Sequence, residues 1–134
     1  MERSSPPILD KIVRLSNEIY NELGSGHSES VYHKALEFEL SRNNIEFNSE
    51  VVIPIYYKDH YVGFGRCDIF IEKTIIVELK AVSSLRNINQ SKTRCYMKSL
   101  GVEFGVMINF PTFPLICSNY SCEIQKLVQY PNEK

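Results

Sequence analysis

Apolar residues recur at helical spacing at the start of the chain. Ile8, Ile12, Leu15, Ile19 and Leu23 form one stripe, which predicts an amphipathic helix. Ser5-Pro6 offers an N-cap followed by proline in the first turn, and Gly24-Ser25-Gly26 ends the helix. A second helix is expected from Ser28 to about Arg42, with Tyr32, Leu36 and Leu40 on its apolar face. Asn43-Asn44 suits its exit, because asparagine tolerates the left-handed region.

The period then changes from helical to alternating. Val51, Ile53, Ile55 and Tyr57 alternate with Val52, Pro54 and Tyr56, and Pro54 assigns that strand to a sheet edge. Lys58-Asp59-His60 reads as a turn, and Tyr61–Ile71 as the next strand, with Gly63 and Gly65 permitting a bend. Ile75–Lys80 is a short β-branched run of the buried type. A third helix, capped by Asn87 or Asn89, runs to Leu100 and stops at Gly101. Phe104–Phe110 is a further apolar strand, broken by Pro111-Thr112-Phe113-Pro114. Leu115-Ile116-Cys117 is expected as a short strand, whereas Cys122–Tyr130 fits either strand or helix.

This order predicts an α/β or α+β domain with a mixed central sheet. The first three strands form an antiparallel meander, and the third helix carries the chain across to a strand able to run parallel to its neighbour. No repeat or long linker divides the chain, so residues 1–134 are read as one domain. Its 43% apolar and 23% charged residues are an ordinary globular balance. No apolar run approaches the roughly 18–20 residues that span a bilayer, and the start shows no signal-peptide pattern. The expectation is therefore an intracellular protein, cytoplasmic or nuclear, with no membrane partner.

Charge and cysteine usage narrow the chemistry. Residues 1–78 carry 13 acidic and 8 basic side chains, whereas residues 79–102 carry Lys80, Arg86, Lys92, Arg94 and Lys98 and no acid. Such a block attracts a polyanion or forms a solvated helix face. Cys67, Cys95, Cys117 and Cys122 form no CxxC pair, so reduced thiols are the plain reading and a zinc or iron–sulfur site the alternative. His27, His33 and His60 lack metal-ligand spacing. Gly24-Ser25-Gly26 lacks both the preceding strand and the Lys-Ser ending of a P-loop. Tyr56, Tyr57 and Tyr61 are read as sheet surface, with base stacking as the alternative.

Charged residues in apolar elements carry the functional signal. Glu78 and Lys80 sit two apart in a buried-type strand and so project from one face. A buried charge needs a partner or a metal. If Glu72-Lys73-Thr74 is a three-residue hairpin loop, Ile71 pairs with Ile75, Asp68 falls opposite Glu78, and Arg66 falls opposite Lys80. A two-residue loop would instead place Cys67 opposite Glu78. Glu29, three residues before Tyr32 and seven before Leu36, shares the buried stripe of the second helix; a cap or dipole-compensating role is the plainer reading. Convergence of Glu29, Asp68 and Glu78 would give an all-oxygen ligand set of the kind that suits Mg²⁺ or Mn²⁺. Lys80 beside such a site would polarise a water or stabilise charge on a phosphorane-like oxygen. The matching reaction class is phosphodiester hydrolysis.

Four segments together resemble a known family. Gly26-His27-Ser28-Glu29-Ser30-Val31-Tyr32 matches the signature of GxxExxY proteins. Arg66-Cys67-Asp68, Ile76-Val77-Glu78-Leu79-Lys80-Ala81-Val82 and Gly105-Val106-Met107-Ile108-Asn109-Phe110 extend the similarity over residues 10–110. The GxxExxY family belongs to the PD-(D/E)XK nuclease-like superfamily. The resemblance implies a restriction-endonuclease-like core, with Asp68 and Glu78 as metal ligands, Lys80 as the catalytic lysine and Glu29 as the acid from the first core helix. It also implies that the Leu79 carbonyl joins the metal shell. Many related nucleases carry a glutamine and, four residues on, a tyrosine in the helix after the ExK strand. Here Tyr96 fits the tyrosine, but Lys92 holds the glutamine position.

The resulting expectation is a Mg²⁺- or Mn²⁺-dependent nuclease acting on nucleic acid, DNA ahead of RNA. Arg66, Arg86, Lys92, Arg94, Tyr96 and Lys98 are the residues expected to hold the strand. A homodimer is among the expected partners, since cutting two strands at once needs two sites. The alternative is a catalytically inactive module of the same fold that binds nucleic acid or a protein partner.

Overall fold

The computed structural model describes residues 5–112 and 121–129. Helices α1 (Pro7–Leu23) and α2 (Glu29–Arg42) come first, followed by strands β1 (Phe47–Tyr57), β2 (His60–Ile71) and β3 (Ile75–Lys80). Helix α3 (Asn87–Leu100) precedes β4 (Phe104–Asn109) and β5 (Glu123–Val128). The five strands form one mixed sheet in the order β1-β2-β3-β4-β5. β1, β2 and β3 form the expected antiparallel meander, β3 and β4 run parallel through the α3 crossover, and β5 returns antiparallel on β4. This is the restriction-endonuclease-like α/β arrangement. Among the described residues, no helix is long and apolar enough to cross a membrane.

Alternation along β3 divides the core in two. Ile75, Val77 and Leu79 pack with Ile12, Leu36 and their neighbours from α1 and α2. Ile76 points the other way, into a cluster with Tyr96 and Met97 of α3. Glu78 is in phase with Ile76 and therefore belongs to the α3 face.

Turn chemistry fixes the registers. Glu72 and Lys73 adopt positive φ of 50° and 54°, Thr74 N–H donates to the Ile71 carbonyl at 2.9 Å, and Ile71 pairs with Ile75. The three-residue loop is thus the one the chain adopts. Lys58 and Asp59, with φ of 46° and 66°, make a two-residue turn whose twist matches the strands it joins. Asn44 takes the left-handed conformation after α2, as its side chain favours.

Several boundaries differ from the sequence pattern. α1 is capped by Pro6, not Ser5, and no side chain closes its first turn. β1 starts at Phe47 rather than Val51 because polar Asn48 and Ser49 still pair with Phe70 and Ile69; pairing geometry there overrides a weak apolar signal. Glu123–Val128 is a strand, held by the free edge of β4. The expected strand Leu115–Cys117 lies outside the described residues. Pro54 does sit on an edge strand.

Tyr32 ties the α1–α2 turn to the far end of β4. Its ring stacks on Phe110 with centroids 4.2 Å apart. Its hydroxyl donates to the Gly24 carbonyl at 2.6 Å and accepts the His27 N–H at 3.3 Å. Phe110 N–H in turn donates to the Lys80 carbonyl at 2.8 Å. The start of α2 is therefore moored to the end of the sheet where Lys80 lies. Tyr32→Phe keeps the stack and loses both hydroxyl bonds, so it is expected to destabilise the fold by about 1–2 kcal/mol in urea denaturation.

Candidate active site

Backbone pairing between β2 and β3 runs only from Ile71↔Ile75 to Ile69↔Val77, although both strands continue. Where it stops, side chains take over. Asp68 N–H donates to Glu78 Oε1 at 3.2 Å, and Leu79 N–H donates to Asp68 Oδ2 at 2.7 Å. Each carboxylate is held by a backbone N–H of the opposite strand. Asp68 and Glu78 therefore meet, as the register predicts. Arg66 does not pair with Lys80, because the last pair of the ladder, Ile69↔Val77, lies three residues earlier; its backbone pairs with Val52 on the other side of β2.

The pair lies in a costly environment. Glu78 is only 7% exposed. Burial pushes its pKa up to about 8, the charge of Asp68 adds to the rise, and Lys92 opposes it. The neighbouring Cys67 thiol is pushed up to about 12, by burial first and then by the charges of Glu78 and Asp68. Cys67 is therefore a protonated, inert group. Two carboxylates whose second charge is disfavoured by burial and by each other are the donor chemistry that a hard divalent cation stabilises. The residues present fit such an ion on that ground. Among the described residues, however, no three His, Cys, Asp or Glu side chains gather into a ready-made metal cluster.

Glu29 is the acid left outside. It is the first residue of α2 and is exposed. The stripe it shares with Tyr32 leaves the core within the first turn of the helix, so its carboxylate lies at the positive end of the helix. The Tyr32–Phe110 stack sets it at the Lys80 end of the sheet. Lys80 itself is half-buried, and its ammonium makes no ion pair or hydrogen bond with the described residues.

The basic helix divides between two sides. Lys92 lies over the Tyr96 ring, 5.8 Å from its centroid, and acts on Glu78. Tyr96 is buried, and its hydroxyl accepts the Arg66 N–H at 3.2 Å. Arg94 turns the other way and donates to the Val128 carbonyl of β5 at 3.3 Å. Lys98, one turn further on, shares that side. Arg66 and Arg86 are exposed. Tyr96 packs so closely on β2 that a Cβ at Gly65 would lie 2.5 Å from its ring, which explains a glycine in mid-strand.

A positioning network at the strand ends escapes the sequence reading. Buried Asn109 clamps Val82 from both sides, accepting its N–H at 2.9 Å and donating to its carbonyl at 3.0 Å. Asn109 Nδ2 also donates to Glu123 Oε1 at 2.9 Å, and the same oxygen accepts Leu85 N–H at 2.8 Å. The segment after Lys80 is thereby fixed from β4 and β5. A polar residue closing the apolar run Met107-Ile108 was the available signal for Asn109; nothing local marks Glu123.

The raised pKa of Glu78 has a consequence for stability. Between its ordinary value of 4.5 and about 8, the folded, metal-free protein holds a proton that the unfolded chain has released. Stability is therefore expected to fall as pH rises through this window. Thermal melts across it should show that slope, and Glu78→Gln should flatten it.

Comparison with known proteins bears on the fold and the family. The crystal structure of SSO0001 is similar in fold, with a TM-score of 0.54 at 16% identity over 96% of this chain and 69% of that one. Looser likenesses are an alkaline exonuclease (LHK-Exo) from Laribacter hongkongensis, 7% identical with a TM-score of 0.43, and a phage related exonuclease from Haemophilus somnus 129PT, 11% identical with a TM-score of 0.39. They cover 96% and 93% of this chain and 73% and 74% of their own. No curated protein matches the chain. The family model of the PD-(D/E)XK nuclease superfamily matches residues 6–118, and the chain belongs to that superfamily.

Proposed function

We propose that this protein hydrolyses phosphodiester bonds of nucleic acid at the Asp68–Glu78 pair, as a GxxExxY-type member of its superfamily. The observation that carries the reading is the pair of carboxylates locked by opposite-strand N–H groups at the end of the β2–β3 ladder. Asp68, Glu78 and the Leu79 carbonyl would hold Mg²⁺ or Mn²⁺, and Glu29, outside the pair at the start of α2, would have to be drawn in to join them. Such an ion, when bound, supplies Lewis-acid polarisation of a phosphoryl oxygen and a more acidic water.

The chain's own groups do the rest. Lys80 leaves β3 on the same face as Glu78, and its ammonium, unpaired among the described residues, would orient the attacking water and stabilise charge gathering on the phosphorus oxygens. Arg66 and Lys92 neutralise the strand's phosphates, with Arg86, Arg94 and Lys98 as outlying contacts, so binding should weaken with salt. Tyr96 positions the Arg66 backbone through its hydroxyl. DNA is the favoured substrate, and a homodimer the arrangement that would let two such sites cut both strands.

One observation favours a second reading. Lys92 already places a positive charge on Glu78, at the helix position where relatives have glutamine. A protein in which that ammonium stands in for a metal would bind nucleic acid without cutting it. Titration calorimetry separates the two: heat from Mn²⁺ supports the nuclease, and its absence with retained binding supports the module.

Purified protein is expected to cleave single- or double-stranded DNA only with added Mg²⁺ or Mn²⁺, as read on denaturing gels. Glu78→Ala, Asp68→Asn and Lys80→Met should each lower the rate by at least about a hundredfold without loss of the folded state. A Glu78→Ala protein as active as its parent would overturn the proposal.

A further inference from the structure

The two edges of the sheet are unlike. β1 carries Pro54, a positive φ of 49° at Glu50 and a register slip at Ile55/Tyr56, devices that blunt an edge against further pairing. β5 has none of them, and all 6 of its residues pair with β4 without a break. The direction of its backbone groups follows from bonds at the strand ends. Phe110 N–H turns to β3, where it meets the Lys80 carbonyl. By alternation Gly105, Met107 and Asn109 turn to β5, and their partners Leu127, Gln125 and Glu123 turn to β4. Gln129 N–H keeps that phase, donating to the Glu103 carbonyl at 2.8 Å. The N–H and C=O groups of Ile124 and Lys126 therefore point off the sheet. Side chains close the edge on either side of them. Asn17 Oδ1 accepts Cys122 N–H at 2.8 Å, and Arg94 donates to the Val128 carbonyl at 3.3 Å. Between these stops, Ile124 and Lys126 present backbone donors and acceptors with no partner among the described residues.

We propose that this window pairs with its own copy: β5 of a second chain lies antiparallel on β5, with Ile124 opposite the partner's Lys126 and Lys126 opposite the partner's Ile124. Two-fold symmetry then lets each chain supply the donors and acceptors that the other lacks. The neighbouring registers fail. One sets Lys126 directly against the partner's Lys126, a like-charge pair. The other sets Lys126 against the partner's Cys122, whose N–H is already held by an asparagine. In the favoured register Gln125 lies on the two-fold axis. Glu78 pairs with Met107 and Met107 with Gln125, so both copies of Glu78 fall on the row that crosses the axis. Five strand spacings separate them, about 24 Å at about 4.8 Å per step. An axis perpendicular to the sheet leaves both on one face. Arg94 and Lys98, on the β5 side of α3, come to lie between the two centres. The pairing gives the proposed homodimer its contact; it rests on the nuclease reading only for the use of two sites.

The experiment is sedimentation velocity in EDTA without nucleic acid, over a roughly hundredfold range of protein concentration. The parent should pass from the 15.5 kDa chain to twice that mass. Lys126→Pro removes an outward N–H and leaves the bonds to β4, so it should weaken association by at least about tenfold with its circular dichroism unchanged. Gln125→Cys, in a Cys95→Ser background, sets two thiols at a spacing that a disulfide spans. Mild oxidation should convert it to a covalent dimer on non-reducing gels, whereas His60→Cys in the same background should stay a monomer. A parent that is monomeric over the whole range overturns the inference. So does a dimer that Lys126→Pro leaves intact, or one in which Gln125→Cys fails to cross-link. Should Lys126→Pro not fold, the cross-link decides. Association without any metal-dependent cutting keeps the pairing and removes the nuclease; cutting by a protein that never associates does the reverse.

Discussion

At the end of the β2–β3 ladder, two carboxylates occupy places that backbone carbonyls would otherwise fill. Each accepts from the strand across from it, so the N–H groups of Asp68 and Leu79 remain satisfied where pairing stops. Buried backbone donors rarely go without acceptors, and here the acceptors are also the carboxylates of the proposed centre. Removing either side chain therefore touches the sheet and the site together. The cost is electrostatic: ionisation of the second carboxyl of the pair is opposed by burial and by its neighbour.

Three separate attachments hold that fork. From one face, the Tyr32–Phe110 stack moors α2 to the strand end. From the other, Tyr96 lies on Gly65 and receives the Arg66 N–H. At the end of the sheet, Asn109 and Glu123 clamp the chain on either side of Val82 and Leu85. None of these contacts belongs to the carboxylates themselves. Together they fix the backbone from which Asp68, Glu78 and Lys80 project, the support a reactive constellation needs.

Much of this was legible in the sequence, for identifiable reasons. The apolar stripes of α1 and α2 and the β-branched run of β3 declare their elements through periodicity alone. The Asp68–Glu78 encounter follows from loop length, since register in a hairpin is set by its turn. The end of the ladder was not legible, because alternation cannot say when two strands stop exchanging hydrogen bonds. The isolation of Glu29 was hidden for a similar reason: phase gives its direction but not how far the core extends along the helix. Lys92 and Arg94 look alike within one basic block, yet they serve opposite sides of α3, which only the packing of Tyr96 decides. Glu123 acts from 38 residues beyond Leu85, and no local pattern carries that information.

The Glu123 contact also sets an order of events during synthesis. Its oxygen is the acceptor for Leu85 N–H and for one bond of Asn109, yet it emerges from the ribosome after every proposed catalytic residue. Until β5 adds to the edge of β4, the peptide following Lys80 lacks its outer restraint. A chain arrested between residues 81 and 122 would hold all four ionisable groups of the proposed centre and still leave their scaffold unlatched. The proposed centre would thus gain its outer restraint only as β5 docks.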